Sequence, residues 1–369
     1  MSGPLVSIVI KNFNYERYVA AAIRSALDQT WPHVQVVVVD DGSSDDSATI
    51  IQGFGPEIDP VFFPQNRGLF AAVNAGYAAA KGEIIMFLDS DDALRPEAAA
   101  EVVAHWRPGL AKIQFCLGTV DRDGRFQGSI FPTFPSGLSP ERVRRESLTT
   151  GIYPCVPTSG NALSREYLER IMPLPDDIAG ASPDGLFNTV APLYGDVLTL
   201  DKVLGFYRVH GANIWAQQGL NPERFGFYVE RDLGRVAFLR QHAASLGMEV
   251  AANALDNAVE HMQYRLVSAK LAPHRHPIAG ETLPRVAARA MGAVIRSDRS
   301  AASKVCLLGW MAGVTLAPRA GAERLVTWRY VPAHRPKLLR TALKRLSVLR
   351  RERGTERAAD FDRPARLSS

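Results

Sequence analysis

The chain has 369 residues, 46% apolar and 22% charged, a composition ordinary for a globular protein and long enough for two domains or one large domain with an appendage. Its three cysteines, Cys116, Cys155 and Cys306, are widely spaced and form no CxxC pair, which argues against a disulfide framework or a zinc knuckle and suits a reducing compartment. The net charge of +5 belongs to the tail: residues 319–369 hold 14 Lys/Arg and 5 Asp/Glu, and the remainder is slightly acidic.

The opening "MSGPLVSIVIKNFNY" has only a strand-length apolar run, so a cleaved signal peptide is not expected. "LVSIVI" (5–10) reads as a buried strand, and Val19, Ile23 and Leu27 form the apolar stripe of a helix over 16–29. "VQVVVV" (34–39) is a second strand, ending in the capping-type turn "DDGSSDDS" before a short helix at about 46–52. "VFF" (61–63) is a brief third strand, 68–80 an Ala-rich helix, and "EIIMFL" (83–88) a fourth strand. Apolar strands alternating with helices imply a parallel sheet covered on both faces, with ligands bound beyond the carboxyl ends of the strands. Asp40-Asp41 and Asp89-Asp91-Asp92 occupy those ends.

Further on, Pro96 opens a helix to Trp106, "KIQFCLG" (112–118) reads as a strand, and "DRDGRF" (121–126) as a hairpin turn. From about 222 the pattern is mostly helical, beginning with "PERFGFYVERDLGRVAFLRQHAASLG". "VCLLGWMAGVTLA" (305–317) is shorter than the roughly 20 apolar residues of a membrane-spanning helix. "APHRHPIAGE" (272–281) reads as a linker carrying His274 and His276, and the chain from about 353 as disordered.

Like carboxylates crowded after a buried strand repel and lose hydration, so "MFLDSDDAL" (86–94) calls for a positive charge. Asp89-x-Asp91 suits a hard divalent cation, Mn²⁺ or Mg²⁺, that takes one or two protein carboxylates and completes its shell with water and phosphate. The alternative, a polar loop leading into the Pro96 helix, accounts for Asp92 but not for Asp89. No GxGxxG follows the first strand and no GxxxxGK[ST] occurs, so dinucleotide and P-loop readings lose their main support.

The succession "VSIVIKNFNYERYVAAAIRSALDQTWP", "VQVVVVDDGSSDDS" and "NRGLFAAVNAGYAAAKGEIIMFLDSDD" resembles family 2 of the glycosyltransferases, nearly without gaps over residues 5 to about 98 and more loosely to about 215. That resemblance implies a GT-A fold, a Rossmann-like and mostly parallel sheet flanked by helices. It also implies transfer of a sugar, with inversion, from a nucleotide-diphosphate sugar to a hydroxyl acceptor. The catalytic domain would span 1–216, with a nucleotide-binding half (1–98) and an acceptor half (99–216); residues 217–369 would be a helical, basic C-terminal region. By position, Asp41 would recognise a uracil or thymine base and Phe13 would lie against it. Asp91 would bind the metal, and Asp89 the ribose or the metal's waters. Lys11 departs from the family's common Pro-Thr-Tyr-Asn and bears on base or phosphate contacts. Arg67 either faces the diphosphate or is a solvated loop arginine.

An inverting transfer needs a base on the far side of the sugar, and Asp176, Asp177, Asp184, Asp196 and Asp201 are its candidates. "PTSGNALS" (157–164) resembles the family's acceptor loop and "SPDGLFNTVAPLYG" (182–195) the helix behind its base, which singles out Asp184. His210, in "GFYRVHGAN" (205–213), either ligates the metal or contacts the diphosphate. "RPKLLRTALKRLSVLRRERG" (335–354) sets leucines against basic residues. It suits a helix on an anionic membrane surface or one packed on its own domain; nucleic acid is not an expected partner. The expected setting is cytoplasmic, peripheral at the inner face of the membrane, in polysaccharide or glycoconjugate synthesis. A non-catalytic nucleotide-sugar or partner-binding module with a vestigial site is the competing reading.

Overall fold

The computed structural model describes residues 3–175, 178, 180–210, 220–331 and 334–336. Strand β1 (Val6–Asn12) is buried along its whole length, as its apolar run requires. Helix α1 (Glu16–Leu27) turns Val19, Ala22, Ile23 and Ala26 into the core. Then follow β2 (Val34–Asp40), α2 (Ser47–Gln52), β3 (Asp59–Phe62), α3 (Leu69–Ala79), β4 (Ile84–Asp89), β5 (Ala93–Leu94) and α4 (Ala98–Ala104). Gly76 allows α3 its close approach to the sheet, because a Cβ there would overlap the Val9 side chain.

The next elements are β6 (Leu110–Asp121), β7 (Phe126–Phe131), α5 (Pro140–Thr150), β8 (Asn161–Ser164), α6 (Arg165–Leu168), α7 (Pro183–Tyr194) and β9 (Asp196–Val209). The strands of one sheet run in the order β3-β2-β1-β4-β8-β6-β9-β5, with β7 paired to β6. As expected, β1 to β4 are mutually parallel. The second half is mixed: β8 is antiparallel to β4 and β6, β7 to β6 and β5 to β9, while β6 and β9 run parallel. Strands of two and four residues, such as β5 and β8, are too short for periodicity to reveal. Below the sheet, Ile8, Ile10, Val38, Met86, Leu88, Ile113 and Phe115 join the buried faces of α1 and α4 in one core.

Register fixes what meets at the carboxyl edge. In β1, Asn12 lies opposite Asp40 of β2, and Lys11 opposite Asp89 of β4.

The described residues form two compact units, one of residues up to 210 with 234–251, the other of 220–233 with those from 252 on. Helix α8 (Arg224–Ser245) contains the division between Leu233 and Gly234. The second unit continues with α9 (Ala254–Asn257), α10 (Val259–Leu271), α11 (Leu283–Arg296), α12 (Ala301–Leu316) and α13 (Arg319–Tyr330). Its own core gathers Met262, Leu266, Val286, Ala290, Val294, Met311 and Val326.

The segment 272–281 is not the open linker its composition suggests. The His276 side chain is only 5% exposed, Nδ1 3.1 Å from Ser268 Oγ and Nε2 3.1 Å from Glu281, and Glu281 pairs with Arg265. Among the described residues no helix is long and apolar enough to cross a membrane. Of the basic stretch 335–354, residues 337–354 lie outside the described residues.

Candidate active site

Strand β2 ends in two buried acids that do different work. Asp40 accepts from Asn12 Nδ2 (2.8 Å), Ser43 Oγ (2.6 Å) and Ser43 N (3.0 Å), tying the end of β1 to the turn after β2. Asn14, in the left-handed region at φ 57°, accepts from Ser44 N at 2.8 Å while its own N–H donates to Ser43 Oγ. Phe13 is thus held between two pinned asparagines and stands 42% exposed. Asp41 accepts from Arg67 N (2.7 Å), Gly68 N (2.9 Å) and Asn66 Nδ2 (3.1 Å), so its carboxylate organises the 66–68 loop. The Arg67 guanidinium lies over the Phe63 ring, 4.7 Å from its centroid.

Beyond β4, the three acids diverge. Asp89 forms an ion pair with Lys11, the residue opposite it in β1. Asp92 is buried and accepts from Ser159 Oγ at 2.6 Å and Arg208 N at 2.9 Å. Burial first, and then the Asp91 charge, push its acid up to about 8. Asp91 turns its Oδ2 to His210 Nε2 at 3.0 Å, and its carbonyl accepts from Arg208 Nε at 2.7 Å.

Lys11 shows how closely these groups gather. Burial pushes its ammonium down, while Asp184, Asp91 and Asp92 act in the opposite direction. Asp184, in the first turn of α7, therefore shares one electrostatic neighbourhood with the acids that follow β4. Of the other candidate bases, Asp196 lies at the opposite end of β9 from His210, paired with Arg107 at 2.8 Å and Arg144 at 3.7 Å. Asp201 accepts from the Cys116 thiol at 3.7 Å, and Asp176 and Asp177 lie outside the described residues.

Tyr15 and Tyr18 are not among the candidates the sequence singles out, and Arg208 and Ser159 are marked there only as parts of the 205–213 and 157–164 segments. His210 is flanked by the rings of Tyr15 (5.7 Å between centroids) and Tyr18 (5.1 Å), and the Arg208 guanidinium lies 4.9 Å from the Tyr18 centroid. Ser159 joins the 157–164 segment to the end of β4 and the loop after it, accepting from the Asp89 N–H and donating to Asp92. The "FNYERY" spacing would have disclosed the tyrosines only to a reader who knew where β9 ends.

The donor set of Asp91 Oδ2 and His210 Nε2 fits Mn²⁺ or Mg²⁺, which take few protein groups and leave positions for phosphate and water. Among the described residues no three His, Cys, Asp or Glu side chains gather as a metal cage.

An α/β sheet of GT-A type with acids at its carboxyl edge defines the class, and comparison with known proteins agrees. Residues 7–172 match the family model described as glycosyl transferase family 2, and the match places this domain in that family. An uncharacterized glycosyltransferase of Nostoc sp. is 35% identical over 213 residues, covering 56% of this chain and 66% of its own length. Chondroitin synthase of Escherichia coli is 32% identical over 151 residues, 40% of this chain and 21% of that protein. The chain thus spans less than two thirds of these curated relatives. Among solved structures, S. aureus TarS in complex with UDP-GlcNAc is similar at a TM-score of 0.51 and 17% identity, over 88% of this chain and 91% of that one, a likeness of fold.

Proposed function

We propose that the protein is an inverting, metal-dependent glycosyltransferase that moves a sugar from a nucleotide-diphosphate sugar, UDP- or dTDP-linked in the first instance, to a hydroxyl acceptor. The observation that carries this reading is the convergence of Asp89, Asp91 and Asp184 around Lys11 at the carboxyl edge of a family 2 domain. Polysaccharide or glycoconjugate synthesis at the cytoplasmic face of a membrane is the proposed setting, with the acceptor a glycan, a lipid-linked sugar or a protein.

In this reading Phe13 stacks on the base, and Asp41 presents the 66–68 loop and its remaining acceptor capacity to the nucleotide. Arg67 faces the diphosphate, and Asp89 meets the ribose. Asp91, with His210 beside it, holds the cation. When bound, Mn²⁺ or Mg²⁺ stabilises the charge that builds on the departing diphosphate. Asp184 takes the proton of the acceptor hydroxyl as its oxygen bonds to the anomeric carbon. The bond from that carbon to the phosphate oxygen breaks on the opposite face, and the configuration inverts.

The test is release of nucleoside diphosphate from UDP-, dTDP- and GDP-sugars with Mn²⁺ and a glycan acceptor panel, beginning with UDP-GlcNAc. Release that disappears in Asp91→Ala and falls by about 10²–10⁴ in Asp184→Asn supports the assignment. Release unaffected by both substitutions would sink it.

A further inference from the structure

We propose that Lys11 is a built-in counter-cation of the donor site. It occupies Asp89 and so sets how tightly, and through which carboxylate, a divalent cation is held. The inference rests on the metal-dependent reading above and concerns a residue with no role in it.

Lys11 is the penultimate residue of β1, with a side chain only 6% exposed at a position where the strand otherwise buries Val, Ser, Ile and Asn. An ammonium taken out of water this completely is costly unless it is paired. A packing role would be met more cheaply by valine or threonine, which suit a pleated strand. The pairing is supplied by topology: β1 lies beside β4 in parallel, register sets Lys11 opposite Asp89, and the two form an ion pair. Asp91, Asp92 and Asp184 act on the same ammonium.

Two consequences follow. The Asp89 carboxylate is shared with an internal cation, so an incoming divalent ion meets competition there and a like charge beside it. Asp91 is turned toward His210 and not toward the ammonium, and in this proposal it is the carboxylate that receives the ion. The positive charge that the acidic cluster demands is thus partly provided by the chain itself, as a compact ammonium on a flexible stem.

The experiment measures Mn²⁺ binding to the full chain by the paramagnetic resonance signal of free Mn²⁺, alone and with UDP or GDP. The variants are Lys11→Met, Asp89→Asn, the two combined, and Asp91→Asn as the reference. Lys11→Met is expected to tighten Mn²⁺ binding by at least about tenfold, because a like charge leaves and a carboxylate is released. Asp89→Asn alone, which strips the ammonium of its partner, should weaken it by less than Asp91→Asn does, and the double variant should return close to the wild-type value.

Lys11→Met binding Mn²⁺ no more tightly than wild type overturns the inference and leaves the metal-dependent reading standing. Absence of Mn²⁺ binding in wild type and every variant, with either nucleotide, overturns both. Should Lys11→Met not fold by its melting transition, the double variant carries no unpaired charge and decides with Asp89→Asn. Loss of Mn²⁺ affinity in Asp89→Asn as large as in Asp91→Asn then contradicts the proposal.

Discussion

Asp91 Oδ2 and His210 Nε2 meet at 3.0 Å across 119 positions of sequence, joining the loop after β4 to the end of β9. Tyr15 and Tyr18 wall the imidazole, so its orientation is set by α1 as well as by β9. A histidine held this way faces the Asp91 carboxylate, and in the proposed function it offers a second donor atom to the cation.

His210→Ala should therefore weaken Mn²⁺ dependence more than it weakens nucleotide binding without metal. The expected loss is about 10–100-fold in the apparent Mn²⁺ affinity, the scale seen when a partner of a metal-bound group is removed. Titrating nucleotide-sugar cleavage with Mn²⁺ in the variant measures it. An unchanged Mn²⁺ midpoint would detach His210 from the cation.

Asp41 holds the 66–68 loop by three hydrogen bonds, two of them from backbone N–H groups. Asp41→Ala leaves those donors without their acceptor and should cost about 2 kcal/mol. That corresponds to a fall of about 4–8 °C in melting temperature. Gly42, at φ +68°, is the companion site: a Cβ there would overlap the Gln65 backbone and strain the turn. Gly42→Ala should lower melting temperature and nucleotide affinity together, and a variant as stable as wild type would show the loop to be more yielding than its packing implies.

Lys112 is a second buried lysine, set near the start of β6 with its ammonium on Asn161 Oδ1 (2.7 Å) and Asn188 Oδ1. Burial pushes it down to about 7, opposed by Cys155 and Asp184. A lysine lowered in the folded state binds fewer protons there than in the unfolded chain between about pH 7 and pH 10.5. Stability from this group accordingly rises with pH through that window and is flat below it, at a slope of about 1 kcal/mol per pH unit. Denaturant melts of wild type and Lys112→Met from pH 6 to pH 9.5 isolate the contribution as their difference. If that difference is independent of pH, Lys112 keeps its proton throughout.

Residues 5–98 were legible because each element there carries one clear period. The apolar runs of β1, β2 and β4 and the stripe Val19, Ile23 of α1 lie within one or two residues of their expected limits. Residues 99–210 were harder. Strand β9 is interrupted by Asp201-Lys202 where its register with β6 shifts, so neither alternation nor an apolar run marks it. The segment 272–281 has the Pro, Gly and His of a loop, yet its charges are satisfied inside the second unit. Lys11 could be seen as a departure from a family pattern, but its partner could not, because Asp89 becomes its neighbour only through the order β2-β1-β4. Spacing along a chain reports which chemistry is available; which acid meets which cation is decided by the sheet.

The most direct test of the donor site is calorimetric titration of UDP and GDP in saturating Mn²⁺ into wild type and Asp91→Ala. The account predicts saturable binding of at least one nucleotide, weakened at least about 30-fold, or about 2 kcal/mol, by the substitution. No binding of either nucleotide to folded protein, or equal binding by both proteins, would contradict it.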